Sequence, residues 1–125
     1  MTIEAINLPK YVENSEKIKE YIEWLDYFLD IEEYVTVKVR SYPNETIWGW
    51  CEPNPESGDI DVCINTKYVK EQDDFFETIA HEFVHVDQHD KDRYVSNWNG
   101  SYSDDPNEIE AWSMQKKLVE DYKRS

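Results

Sequence analysis

The chain has 125 residues, enough for one domain with a modest core, and we expect a single domain over residues 1–125. Its 28 acidic and 13 basic residues give a formal charge of −15, which argues against nucleic-acid binding because phosphate contacts need a Lys/Arg surface. An aromatic content of 14% argues against disorder. No apolar run is long enough for a membrane span or an ordinary secretion signal, so we expect a soluble, cytoplasmic protein without a membrane partner.

The first half of the chain changes from helical to strand periodicity. After an irregular start, Asn14 or Ser15 offers an N-cap for an amphipathic helix of about four turns. Alternating apolar residues then predict three strands, over 34–40, 46–51 and 59–64. The helix is indicated by apolar residues at spacings of three and four: Ile18, Tyr21, Ile22, Leu25, Phe28 and Leu29.

A turn-forming segment, 52–58, separates the last two strands and predicts a β-hairpin. Cys51 and Cys63 flank this turn and could face each other across it. Two cysteines are too few for a disulfide scaffold, and we expect buried free thiols. Trp48 and Trp50 could line a cleft, but aromatic residues on a strand usually belong to the core, which is the expectation here.

Two helices are predicted in the second half. Asp73 or Asp74 can begin the first, which continues as an apolar stripe. A polar stretch follows, and then Asp105 offers an N-cap with Pro106 at the first helical position. Glu108 is the acid three residues after this cap, the position of a capping-box partner.

The first of these two helices carries the sequence His81-Glu82-Phe83-Val84-His85, which matches the pattern H-E-x-x-H. Residues four apart on a helix share a face, so both imidazoles can bind one zinc ion. Glu82 can then take a proton from a water that the metal activates. This chemistry hydrolyses an amide bond.

A catalytic zinc needs a third protein ligand and one open position. His89 lies about 12 Å along the helix axis from His81, too far to share one tetrahedral ion with it. The candidates on the last helix are Glu108 and Glu110, of which only one can face the metal because residues two apart point about 200° away from each other. Since Glu108 has a competing role in capping, we expect Glu110 to be the ligand and hold Glu108 in reserve.

The H-E-x-x-H segment at 81–85, followed 25 positions after His85 by Glu110-Ala111, resembles the gluzincin clan of zinc peptidases. The order of elements resembles its smallest members, the minigluzincins. The Glu-Ile-Glu-Ala stretch is similar to the phage and bacterial ImmA/IrrE-like metallopeptidases. The resemblance covers about 58–118 and implies an α+β, zincin-like domain: an N-terminal helix, a small three-stranded sheet, an active-site helix and a C-terminal glutamate helix.

The resemblance also implies residue roles. It makes His81, His85 and Glu110 the ligands of Zn²⁺, and Glu82 the general base. It implies that the strand over 59–64 is an edge strand that holds an extended peptide, a mode in which main-chain hydrogen bonds supply affinity.

Two departures from the family pattern concern the surroundings of the metal. Some gluzincins have an Asp four residues after the ligand Glu, where this chain has Met114. No local motif identifies the group that stabilises the oxyanion, and Tyr94 and Tyr102 are the candidates because they lie between the two metal helices. Gln88, one turn after His85, is expected to be solvated.

We therefore expect a zinc metallopeptidase that acts on a peptide or protein substrate. The sequence does not define the oligomeric state, and a monomer is the expectation. One alternative is a zinc-stabilised interaction or regulatory protein with latent or no proteolysis. Another is an acidic mimic of nucleic acid in which the histidine motif is incidental.

Overall fold

The computed structural model describes residues 1–5, 8 and 15–125. Within this part of the chain, three helices and a four-stranded sheet form a mixed α+β fold. None of these helices is both long and apolar enough to cross a membrane. In chain order, the elements are β1 (Thr2–Ala5), α1 (Ser15–Phe28), β2 (Val35–Arg40), β3 (Gly49–Pro53), β4 (Ile60–Asn65), α2 (Gln72–Asp90), a 3₁₀ turn (Tyr102–Asp104) and α3 (Pro106–Arg124).

The sheet has the strand order β1-β2-β4-β3. β2 runs parallel to both β1 and β4, whereas β3 and β4 form the predicted antiparallel hairpin. The expectation of three strands is wrong by one, because Thr2–Ala5 forms the additional strand β1. This strand has only four residues and pairs with a segment more than thirty positions away, so no local periodicity or turn marks it.

The sheet order also corrects the predicted role of the strand over 59–64. That segment corresponds to β4, which lies between β2 and β3 and is not an edge strand. Its main-chain groups pair with neighbours on both sides, so it cannot accept an added strand. β3 is the edge strand at this end of the sheet.

One face of the sheet packs against the helices and forms the core. Asp61 and Cys63 on β4 belong to the other face and are only half-buried, as the alternation of that strand predicts. The hydroxyl of Tyr21 on α1 donates a 2.8 Å hydrogen bond to the carbonyl of Phe76, which ties α1 to α2. The buried hydrophobic residues of β2, β4 and α1 are Val35, Val37, Val39, Ile60, Val62, Ile64, Ile18, Tyr21, Ile22 and Leu25.

The sequence predicts the first residue of some helices more accurately than that of others. At α3 the Asp105 side chain accepts a hydrogen bond from the Asn107 amide, which confirms the predicted N-cap. α2 begins at Gln72, slightly before the predicted Asp73 or Asp74. α1 begins at Ser15, and Asn14 lies outside the described residues.

The thiols of Cys51 and Cys63 are free, as expected, although each residue is half-buried. Cys51 is aligned with Val62 across the hairpin, whereas Cys63 is aligned with Trp50. Because side chains alternate along a strand, the two cysteines lie on opposite faces of the sheet. They therefore cannot form a disulfide across the hairpin.

Candidate metal centre

The packing of α2 against α3 brings two histidines and one glutamate together. His81 Nε2 lies 2.9 Å from one carboxylate oxygen of Glu108, and His85 Nε2 lies 3.0 Å from the other. The potential ligand atoms of the three side chains all lie within 4.8 Å of one another. Two histidines one turn apart and a carboxylate from a second helix thus converge on one point.

The structure brings Glu108, not the expected Glu110, to the histidines. The predicted capping role of Glu108 is not observed, because the Asp105 amide instead donates to the Tyr102 carbonyl at 3.2 Å. The Glu108 carboxylate is therefore not needed at the cap. It also lies seven residues before Gln115, which places the two on nearly the same side of α3, toward α2.

Glu110 points away from the two histidines and serves another purpose. Arg93 Nη1 donates to both of its carboxylate oxygens at 3.1 Å, and Gln88 Nε2 donates to one of them at 3.0 Å. His89 is also outside the cluster, as its distance along the helix predicts. Its ring stacks on Tyr94 with a centroid separation of 4.1 Å.

Each histidine of the cluster has an amide oxygen at its second ring nitrogen. Gln115 Oε1 lies 2.8 Å from His81 Nδ1, and Gln88 Oε1 lies 2.8 Å from His85 Nδ1. An amide oxygen only accepts hydrogen bonds, so each Nδ1 carries the proton in this arrangement. Without a metal, each Nε2 donates to the Glu108 carboxylate. A metal ion that replaces the proton on Nε2 would find the lone pair of that nitrogen directed at the shared point, as in metal-binding histidines.

Gln88 and Gln115 were not identified from the sequence. The expectation that Gln88 is solvated is wrong, since only 2% of this residue is exposed. Its position three residues after His85, on the same face of α2, was the available signal. Nothing comparable marks Gln115, whose relation to His81 depends on how two helices pack.

Glu82 lies beside the cluster and is 6% exposed, without a hydrogen bond or ion pair among the described residues. Burial raises the pKa of this carboxyl to about 7, against the opposing effect of His81 and His85. Burial would also raise the pKa of Glu108, but hydrogen bonds with the two histidines lower it to about 2. The two carboxyl groups thus differ strongly in acidity, which suits a proton acceptor and a metal ligand respectively.

Gly49 on β3 makes room for Glu82. A Cβ atom at this position would lie 3.2 Å from Glu82 Cγ and 3.0 Å from the carbonyl oxygen of Cys63. Both contacts are tighter than ordinary packing allows, and the second involves backbone. A side chain at this position would therefore displace the buried carboxyl or the strand backbone.

The cluster lies in an open cleft of about 620 Å³. Its walls are formed by α2, by the segment 46–51 and by α3. Trp48 and Trp50 line this cleft, so the expectation that they belong to the core is wrong. No lysine or arginine is found among the lining residues in the described part of the chain.

Tyr94 and Tyr102, the candidates for oxyanion stabilisation, both line the same cleft. Tyr94 is half-exposed and stands edge-on to the His85 ring at 6.2 Å between centroids. Tyr102 is nearer to Glu108: burial, the charge of that carboxylate and a hydrogen bond to it raise the pKa of the phenol to about 12. Both phenols therefore carry a proton at neutral pH and can donate it in a hydrogen bond.

The donor set fits a metal ion. Two imidazole nitrogens and one carboxylate oxygen are a three-ligand set of catalytic zinc, which leaves the fourth position open. Ligand atoms at about 2.0–2.2 Å from a tetrahedral ion are about 3.3–3.6 Å apart, so only small side-chain shifts separate the present geometry from coordination.

No family model, curated protein or solved structure matches this chain.

Proposed function

We propose that the protein is a zinc-dependent metallopeptidase built on a minimal zincin-like domain. The observation that carries the proposal is the convergence of His81, His85 and Glu108, with each Nδ1 held by an amide oxygen and Glu82 buried alongside. We assign the third ligand to Glu108 in place of Glu110, on the distances above.

Different residues of the chain would have different roles in amide hydrolysis. A zinc ion held by His81, His85 and Glu108 would supply Lewis acidity and lower the pKa of water. Glu82, with a pKa near 7, accepts the proton of the attacking water and returns it to the leaving amine. Tyr94 and Tyr102 line the cleft and would donate a hydrogen bond to the developing oxyanion.

The free edge of β3 is the proposed docking strand for an extended peptide. Trp48 O accepts from Asn65 N at 2.8 Å and Asn54 N donates to Asp59 O at 2.7 Å, so even-numbered residues direct their main-chain groups at β4. The N–H and C=O groups of Gly49 and Cys51, the odd-numbered positions beside Glu82, face outward. A peptide that pairs with them would lie along the cleft.

The charges of the cleft favour a basic peptide. Asp74 and Glu77 line it on the N-terminal side of His81, and neither has an ion-pair partner among the described residues. The neighbouring Asp73, by contrast, already binds Lys123 at 2.9 Å. Aromatic walls add cation–π attraction for the same substrates. Lysine or arginine side chains next to the scissile bond therefore suit this cleft.

The test is turnover of unstructured peptides by the zinc-reconstituted protein. We expect cleavage of lysine-containing peptides, faster than cleavage of copies in which norleucine replaces lysine. Glu82→Gln should retain zinc and lose turnover by at least about a hundredfold, the scale of general-base catalysis. A folded, zinc-loaded wild type that cleaves neither peptide would contradict the proposal and support the zinc-stabilised interaction protein instead. Unchanged turnover in Glu82→Gln would remove Glu82 from the mechanism.

A further inference from the structure

Gln88 connects the metal cluster to α3 through a buried amide. Its Oε1 lies 2.8 Å from His85 Nδ1, while its Nε2 donates to Asn107 O and to Glu110 Oε1, both at 3.0 Å. With 2% of the residue exposed, water cannot replace these partners. Every hydrogen bond of this amide is therefore made within the protein.

The partners of Gln88 fix which way its amide faces. A main-chain carbonyl such as Asn107 O can only accept, so it must face the NH₂ group of Gln88. The amide oxygen is then turned toward His85, whose Nδ1 must donate to it. A rotated amide would set two acceptors against each other at Asn107 and leave the buried amide unsatisfied. The α3 backbone thus determines the protonation of one ring nitrogen on α2.

Glu110 and Asn107 are in turn held in place. Arg93 binds both oxygens of Glu110, and Asn107 exchanges two 2.9 Å hydrogen bonds with the backbone of Val95. Asn107 itself is 3% exposed. The segment that follows α2 is therefore attached to the start of α3 around Gln88. His81 has no such network, because its partner Gln115 makes no second side-chain hydrogen bond among the described residues.

We propose that Gln88 is a positioning residue, which holds His85 in the tautomer whose Nε2 can bind metal, and that Glu110 acts through it. The inference rests on the proposed metal site and gives Glu110 a role other than that of a ligand. Partners of this kind change metal affinity by about 10- to 100-fold when they are removed.

The experiment compares zinc affinity in Gln88→Met and Gln88→Glu with the wild type, by competition with a chelator. Methionine keeps the length of the side chain and removes its hydrogen bonds, so zinc should bind roughly 10- to 100-fold more weakly. Gln88→Glu keeps an acceptor for His85 Nδ1 but sets a second acceptor against Asn107 O and Glu110. It should therefore bind zinc more tightly than Gln88→Met and more weakly than the wild type. Gln72→Met, on the first turn of the same helix, is the matched control and should bind zinc as the wild type does.

A spectroscopic measurement distinguishes the positioning of His85 by Gln88 from a general loss of structure. Long-range ¹H–¹⁵N NMR on the metal-free Glu108→Ala protein at about pH 8.5 reads the His85 tautomer without a carboxylate at Nε2. We expect a protonated Nδ1, and a mixture of tautomers once Gln88→Met is added. Circular dichroism establishes that each variant is folded.

The outcomes distinguish this inference from the function itself. Zinc affinity of Gln88→Met within twofold of the wild type, or a His85 tautomer that does not respond to Gln88, would overturn the inference and leave the metal site standing. A wild type that binds no zinc would overturn the metal site, while the tautomer measurement still reports on Gln88.

Discussion

The buried carboxyl of Glu82 should make the stability of the metal-free protein depend on pH. Its pKa rises from the ordinary 4.5 to about 7 on folding, because burial disfavours the charged form. An acid with a raised folded pKa contributes stability that is fully present below about 4.5 and lost as the pH rises through about 7. The difference corresponds to about 3 kcal/mol, since one pKa unit is about 1.4 kcal/mol.

Glu82→Gln removes the ionisable group and therefore this loss. Relative to the wild type, the variant should gain about 2–3 kcal/mol in free energy of unfolding between about pH 5 and about pH 8.5. Urea unfolding with a chelator present measures this gain at both pH values. Glu23→Gln, at an exposed position of α1, is the control for the loss of one charge. An equal effect of Glu82→Gln at the two pH values would refute the reasoning.

Four further variants test the site. Glu108→Ala should weaken zinc binding by about 70- to 900-fold, because about 10–16 kcal/mol shared by four ligands gives about 2.5–4 kcal/mol each. Glu110→Ala should weaken it roughly tenfold. Gly49→Ala should retain zinc but lose turnover and about 1–3 kcal/mol of stability, since its Cβ would meet Glu82 and backbone. Asp74→Asn with Glu77→Gln should reduce the preference for lysine over norleucine peptides by roughly tenfold in kcat/KM, with turnover of the norleucine peptide unchanged.

The zinc-binding and Gly49 predictions each have a contradicting result. Stronger zinc loss in Glu110→Ala than in Glu108→Ala would return the ligand role to Glu110. Wild-type turnover in Gly49→Ala, measured with the zinc-loaded protein, would show that Glu82 is not confined by the edge strand. Asp73→Asn is the control for the charge change at Asp74, because Asp73 forms an ion pair with Lys123. This control should leave the peptide preference unaltered.

Features that depend on neighbouring residues could be predicted from the sequence. The start of α3 is an example, because an Asp cap and a following proline act within one turn of helix. The alternation in β2 and β4 likewise identifies which side chains are buried, since a strand with one covered face must alternate. The pairing of His81 with His85 follows from helix geometry alone.

Features that depend on distant contacts could not be predicted. The position of β4 inside the sheet is set by its parallel pairing with β2. Parallel strands are not joined by a hairpin turn, so no turn sequence indicates this pairing. The choice between Glu108 and Glu110 depended on whether the Asp105 amide had another partner, and the 3₁₀ turn that provides the Tyr102 carbonyl has no signature in the sequence. The roles of Gln88 and Gln115 depend on the packing of α2 against α3.

The exposed edge of β3 bears on how copies of this protein behave when they meet. An unpaired edge can join its counterpart in another molecule, and such growth leads to aggregation. Pro53 has no N–H to donate, and β3 has only five residues, so few main-chain groups are available for pairing with another molecule. The charge of −15 adds mutual repulsion at neutral pH, but this vanishes near the isoelectric point of about 4.4. Acidification toward this pH should therefore promote self-association through the β3 edge.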